Sequence, residues 1–198
     1  MSIEKALEQL SEFIPTYQAL SERDKFVLAR VFNEQTGGKL SPFNSPSPVS
    51  VGIIPVLGPT GQTGFLGLRR AIAPCVGEVA LPGGFLDPGE DPIIAMVREV
   101  QEEMSLDIDP ASVWSKALVK MGHNNNMLMF FQSSEKIDYD VFMSANDKLD
   151  ASDGEASELV IITPDTQLCF PLHQEAVNQA FVAQGMTPKV RPAKVFKP

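Results

Sequence analysis

A chain of 198 residues with a formal net charge of −9 suits one domain with appendages, since a single core commonly serves about 100–200 residues. The acidic balance and the lack of any basic run disfavour stable binding to nucleic acid or to anionic lipid. No stretch reaches the ~18 apolar residues of a membrane span, and the start, MSIEKALEQL, has no apolar signal core, so no membrane association and a cytoplasmic location are expected. Cys75 and Cys169 show neither metal spacing nor a disulfide framework, in keeping with a reducing compartment.

Residues 1–48 read as an N-terminal helical arm and linker. Ile3, Ala6, Leu7, Leu10, Phe13 and Ile14 keep helical spacing up to Pro15, and Ser21 can cap a second helix carrying Phe26, Val27 and Val31. The apolar stripe of this arm needs a cover, either the main domain or a second copy in a homodimer. The stretch GGKLSPFNSPSPVS (37–50) has the composition of a loop.

Beyond it the pattern takes on the period of strands. VGIIPVL (51–57) and FLGLRR (65–70) flank the turn-rich GPTGQTG, and VALPGGF leads towards a helix. Asp91 can cap that helix, with Pro92 at its first position. At roughly 100° per residue, Ile93, Val97, Val100 and Met104 form an apolar face while Glu99, Glu102 and Glu103 gather on the other side, pointing outward. As a solvated face this is costly, because Glu99 and Glu103 are a like-charged i,i+4 pair with no lysine to offset them. A divalent cation would remove the conflict, and crowded hard oxygens suit Mg2+ or Mn2+.

Further strands are expected at 113–121, 127–132 and 158–163, then a helix from Pro171 to about Gln184 that buries Leu172, Ala176 and Phe181, and a mobile basic tail over 189–198. This order makes the class α+β. His123, in GHNNNM, reads as part of an exposed hairpin turn. The acids of DASDGEASE, from Asp150 to Glu158, do not fall at the ligand positions of a calcium loop, so the run reads as a mobile acidic loop.

The pattern Gly84-x5-Glu90-x7-Arg98-Glu99-Val100-x-Glu102-Glu103-x-Ser105-Leu106 resembles the signature of the Nudix hydrolase family, G-x5-E-x7-R-E-U-x-E-E-x-G-U with U aliphatic. It departs once, at Ser105, where the family has its second glycine. Glycine there permits a left-handed helix end, so serine is expected to add a modest conformational cost or to shift the turn.

The resemblance implies an α/β/α sandwich with a mixed β-sheet over residues 49–188. It also implies metal-dependent cleavage of the phosphoanhydride of a nucleoside diphosphate linked to another moiety X. By the same comparison Glu99, Glu102, Glu103 and the backbone carbonyl of Gly83 are metal ligands, with Glu102 and Glu103 also catalytic. Arg98 and Glu90 have supporting roles, and a loop carboxylate outside the signature, Glu155 first and Glu158 second, is a candidate base. Arg69 and Arg70 are candidates to grip phosphate, although strand alternation lets at most one of them reach the site. Phe130 and Phe131 alternate across the sheet, so one is expected in the core and the other could stack on a base.

The partner is then a small-molecule nucleotide. FLGLRRAIAPCVGEVALPGGFLDPGE resembles the form found in ADP-ribose and related dinucleotide pyrophosphatases. (Deoxy)nucleoside triphosphate cleavage and a non-hydrolytic nucleotide sensor are the alternatives, and the intact acid set favours an enzyme.

Overall fold

A computed structural model describes residues 46–122, 126–149 and 156–192, with 115–117 described by their strand alone. The two helices expected in the N-terminal arm lie outside the described residues, as do His123 and Glu155. The compact unit that carries every described element starts at Ser47.

Eight strands and three α-helices follow in the order β1 (Ser47–Ile53), β2 (Pro55–Leu57), β3 (Thr63–Arg70), β4 (Val79–Ala80), β5 (Gly83–Phe85), α1 (Pro92–Met104), β6 (Val113–Met121), β7 (Asn126–Ser133), α2 (Tyr139–Asn146), β8 (Ala156–Ile162) and α3 (Pro171–Ala183). The apolar run expected as one strand over 51–57 is divided. Pro55 has no N–H to give to a ladder, and at Ile54 the chain steps from one sheet into another. The first sheet has the order β5-β1-β7-β6, with β1 parallel to β7 and the other pairs antiparallel. In the second, β3 pairs with β8 on one side and with β2 and β4 on the other, all antiparallel.

Helices cover both faces. Met96, Val100 and Met104 of α1 and Phe142 and Ala145 of α2 join Ile54, Val56, Leu66, Leu68 and Phe131 in one core. Ala176, Val177, Ala180 and Phe181 of α3 join Val51, Ile53, Phe65, Phe130 and Ile162 in the other. The result is the α/β/α sandwich with mixed strand directions. Because the sheets are covered on both sides, alternation along β7 sends Phe130 into one core and Phe131 into the other, and both rings are buried. The expectation that one of them faces a ligand is therefore corrected: neither ring is available to stack on a base.

Further expectations change. In α3, Ala176 and Phe181 are buried as expected, while Leu172 is only partly buried. Helix α2 was not legible, since only Phe142 and Ala145 of its eight residues are buried and the Asp138 cap makes no side-chain hydrogen bond. The start of the basic tail is tethered rather than loose. Lys189 donates from its backbone N–H to the Pro164 carbonyl (2.9 Å) and from Nζ to Asp165 (2.9 Å), and Asn178 donates to the Val190 carbonyl (2.8 Å). The two cysteines, 94 residues apart, form a disulfide with their Cα atoms 6.2 Å apart. Spacing in sequence could not reveal that pairing, and it removes the cysteine-based argument for a reducing compartment. No described helix is long and apolar enough to cross a membrane.

Candidate active site

The site is built where α1 lies against β5 and the loop between them. Asp91 caps α1 by accepting from the N–H of Ile93 (2.8 Å) and Ile94 (3.4 Å), and buried Ser50 on β1 donates its hydroxyl to the Pro92 carbonyl at 2.6 Å. These contacts fix where the helix begins.

Its rotation differs from the expected one. The buried face is Ala95, Met96, Val100 and Met104, with Ile93 and Val97 only partly buried. Turning the helix this way brings Glu99 and Glu103 inward onto β5, both half-buried, and leaves Glu102 outermost. Glycines make the room. A Cβ on Gly84 would strike the Glu99 carboxylate, and Gly83 sits at φ +144° where a Cβ would run into the Ser50 carbonyl and, at 2.8 Å, the Cα of Val51. The acidic stripe is thus packed against bare backbone. An outward solvated face is not what forms.

Arg98 sits at the centre of the carboxylates. Its Nε and Nη2 donate to the two oxygens of Glu90 at 2.9 and 3.1 Å, a bidentate fork. Nη2 also donates to the Phe85 carbonyl (3.1 Å), and Nη1 to Glu99 (2.8 Å) and Glu102 (2.9 Å). The offset that no lysine supplied comes from this arginine. Glu90 in turn accepts from the Asp87 N–H at 2.9 Å, and Glu103 from the Gly83 N–H at 3.0 Å. The hydrogen bond from Arg98, then that from Asp87, holds the Glu90 carboxyl below its ordinary range. Arg98 is held more firmly protonated than usual, first by Glu90 and then by Glu99 and Glu102 against its partial burial.

Ser105 ends α1 at φ 53° and ψ 34°, with its N–H bonded to the Gln101 carbonyl. Serine keeps the left-handed turn a glycine would make, so the turn is not shifted. The conformational cost is carried instead.

The donors around α1 fit a hard divalent ion: carboxylates on flexible stems above a rigid glycine backbone. In this structure Arg98 and the Gly83 N–H engage these carboxylates. Elsewhere among the described residues, the Glu78 carboxylate lies within 4.8 Å of the sulfurs of Cys75 and Cys169, which the disulfide removes as metal donors.

Arg69 and Arg70 do not join the carboxylates in any contact of the described residues. The pairing of β3 with β8 is irregular between them, which breaks the alternation, and both turn back on the loop that follows β3. Arg69 donates to Glu158 (2.7 Å) and to the Gly77 carbonyl (2.8 Å), and Arg70 to the Pro74 carbonyl (2.7 Å). Glu158 is therefore an ion-pair partner within β8.

A residue that sequence reasoning passed over is His173. It is buried, its Nδ1 accepts from the Leu81 N–H at 3.2 Å, and the Phe130 and Phe170 rings pack beside it. Burial first, and the nearby Arg70 charge second, bring its pKa down to about 3. It holds the strand connection that leads into Gly83. The available signal was its place three and four residues before Ala176 and Val177 on the apolar stripe.

Residues 46–176 match the family profile described as NUDIX domain. The chain belongs to the NUDIX family. It is thus a Nudix hydrolase, of the class that acts on acid anhydrides in phosphorus-containing compounds, generally with divalent metal ions and small nucleotide substrates. Among solved structures, the NUDIX domain of Shewanella oneidensis NrtR complexed with ADP ribose is 14% identical with a TM-score of 0.57, over 76% of this Nudix chain and 97% of that one. A mutT/nudix family protein from Listeria innocua is 20% identical with a TM-score of 0.51, over 72% and 96% of the two chains. A MutT/nudix family protein from Enterococcus faecalis is 19% identical with a TM-score of 0.47, the match covering 76% of this chain but only 54% of that longer one. The first two of these likenesses show the fold. No curated protein matches the sequence.

Proposed function

We propose that this Nudix hydrolase cleaves the phosphoanhydride of a nucleoside diphosphate linked to X, with ADP-ribose or a related dinucleotide as the substrate and Mg2+ or Mn2+ as the metal. The observation that carries the reading is the convergence of Glu90, Glu99 and Glu102 on Arg98, beside Glu103 on the Gly83 N–H. A structural surface has no use for three carboxylates organised on one arginine, with a fourth on the Gly83 N–H, over a bare glycine strand. The ADP ribose in the NrtR complex supports the choice of substrate class.

In this reading Glu99, Glu102, Glu103 and the Gly83 carbonyl hold the divalent ion. When bound, the ion supplies neutralisation of phosphate oxygens and acidification of a water. The protein's share is positional and protonic. Arg98 fixes the directions of Glu99 and Glu102, and Glu90 fixes Arg98 and, through Asp87, the loop. Glu102 or Glu103, or Glu155 just ahead of β8 in the sequence, accepts the proton of the attacking water. The water oxygen bonds to phosphorus while the bridging P–O bond breaks and the leaving phosphate carries the charge away. Arg69 and Arg70 are in reach of solvent and remain candidates for the substrate's anionic groups.

The test is a substrate panel of ADP-ribose, NADH, diadenosine polyphosphates, nucleotide sugars and dNTPs with Mg2+, scored by products. AMP plus ribose 5-phosphate from ADP-ribose as the best substrate is expected. Cleavage of a dNTP to dNMP and pyrophosphate at much higher kcat/KM would sink the choice of substrate. Binding of ADP-ribose without turnover of any member would favour a sensor.

A further inference from the structure

The disulfide joins two parts of the molecule that flank both arginines. Cys75 lies at the tip of the loop between β3 and β4, and Cys169 in the segment leading into α3. The root of the loop is closed without sulfur: Arg70 and Glu78 are bonded N–H to carbonyl (2.9 Å), as are Gly77 and Arg70 (2.8 Å), and Cys169 donates to the Val79 carbonyl (2.8 Å). The tip is different. Ile72, Ala73, Pro74 and Val76 are exposed, and beyond the sulfur bridge the contacts described there are the Glu78 N–H on the Cys75 carbonyl (3.0 Å) and those from the arginines. Arg69 reaches the Gly77 carbonyl, Arg70 reaches the Pro74 carbonyl, and the Arg70 guanidinium lies 5.5 Å from the centre of the Phe170 ring, next to Cys169. One covalent bond therefore secures the loop surface that both guanidinium groups touch, Arg69 being held also by Glu158 of β8. Both cysteines are only half-buried, within reach of a small reductant.

We propose that Cys75 and Cys169 form a reversible thiol–disulfide site that clamps the loop anchoring Arg69 and Arg70, keeping both arginines ordered for an anionic substrate. The effect on substrate rests on the function proposed above; the clamp itself does not. The reductant is a dithiol. One of its thiolates attacks a sulfur of the bridge, the Cys75–Cys169 bond breaks to give a mixed disulfide, and the second thiol displaces the protein. Two electrons and two protons pass to the protein, leaving two cysteine thiols and the reductant's disulfide. Once the bridge is open, ordering the two long side chains falls on substrate binding. KM should then rise about tenfold with kcat little changed.

The test uses the full chain purified without reductant. Thiols are counted in denaturant before and after dithiothreitol, hydrogen exchange is followed at residues 71–78, and KM for ADP-ribose is measured with Mg2+. The expected result is no thiol before reduction and two after, faster exchange at the loop on reduction, and a Cys75→Ser protein that matches the reduced one in exchange and KM whatever the redox state. Two free thiols in the air-equilibrated protein would overturn the proposal. So would Zn2+ retained by the two thiols with the Glu78 carboxylate as third donor, or loop exchange that ignores reduction. Because exchange needs no turnover, an inactive protein leaves the clamp testable; faster exchange with unchanged KM would overturn the role given to the arginines.

Discussion

Arg98 does more at this site than supply one positive charge. Its fork holds Glu90 from two directions while Nη1 serves Glu99 and Glu102, so Arg98→Ala leaves three carboxylates facing one another without their counter-ion. A loss of about 10- to 100-fold in kcat/KM is expected, the scale seen when the partners that orient metal ligands are removed. Arg98→Lys should recover little, since an ammonium cannot reproduce the two parallel bonds. A lysine variant with wild-type kinetics would contradict this. Outside α1, Glu155→Gln should depress kcat far more than Glu158→Gln, because Glu158 is committed to Arg69 at 2.7 Å; equal and small effects would return the base role to the helix. Ser105 tests geometry alone. At φ 53° it pays the left-handed penalty, about 1 kcal/mol, offset in part by the backbone freedom glycine loses on folding. Ser105→Gly should therefore raise stability by about 0.5 kcal/mol, read as a higher urea midpoint at unchanged slope.

At the scale of elements, the signature helix was legible and its rotation was not. The cap, the proline start and the apolar spacing all lie within the helix itself, whereas the inward turn of Glu99 and Glu103 depends on two glycines in another element. A wheel that scores residue type sends glutamates outward; only the bare backbone of β5 lets them in. Gly84→Ala tests this directly. Its methyl must displace the Glu99 carboxylate, and turnover should fall at least about tenfold, by the cost of misplacing a positioned group. Phe130 and Phe131 were misread for a related reason, because alternation says that neighbours part but not that both sides are covered. The β1–β2 break at Pro55 and the cysteine pairing likewise depend on what the chain meets after folding. His173 carries a prediction of its own. Its pKa is about 3 in the fold against 6.5 ordinarily, so between these values the folded state binds fewer protons than the unfolded one. The stability it contributes is complete above about pH 6.5 and is lost as pH falls towards about 3. His173→Gln should flatten that acid limb, measured as urea stability at pH 7, 5 and 4; an unchanged slope would show that other groups set it.

For the whole molecule, two sheets covered by helices on both faces provide a stiff base under flexible carboxylates, and that division of labour is what the proposed chemistry requires. The α/β/α layering was legible because the family signature brings its fold with it. The substrate was not, because the candidates for its anionic groups, Arg69 and Arg70, end β3 and turn onto the loop that follows it, where no periodic pattern constrains the sequence. The most direct measurement is the rate of ADP-ribose hydrolysis, followed by phosphorus NMR, for the wild type with Mg2+, the wild type with excess EDTA, and Glu103→Gln with Mg2+. Turnover that needs the metal and falls at least about 100-fold in the variant at unchanged circular dichroism is the predicted result. Full turnover in EDTA, or a Glu103→Gln protein with wild-type kcat, would contradict it.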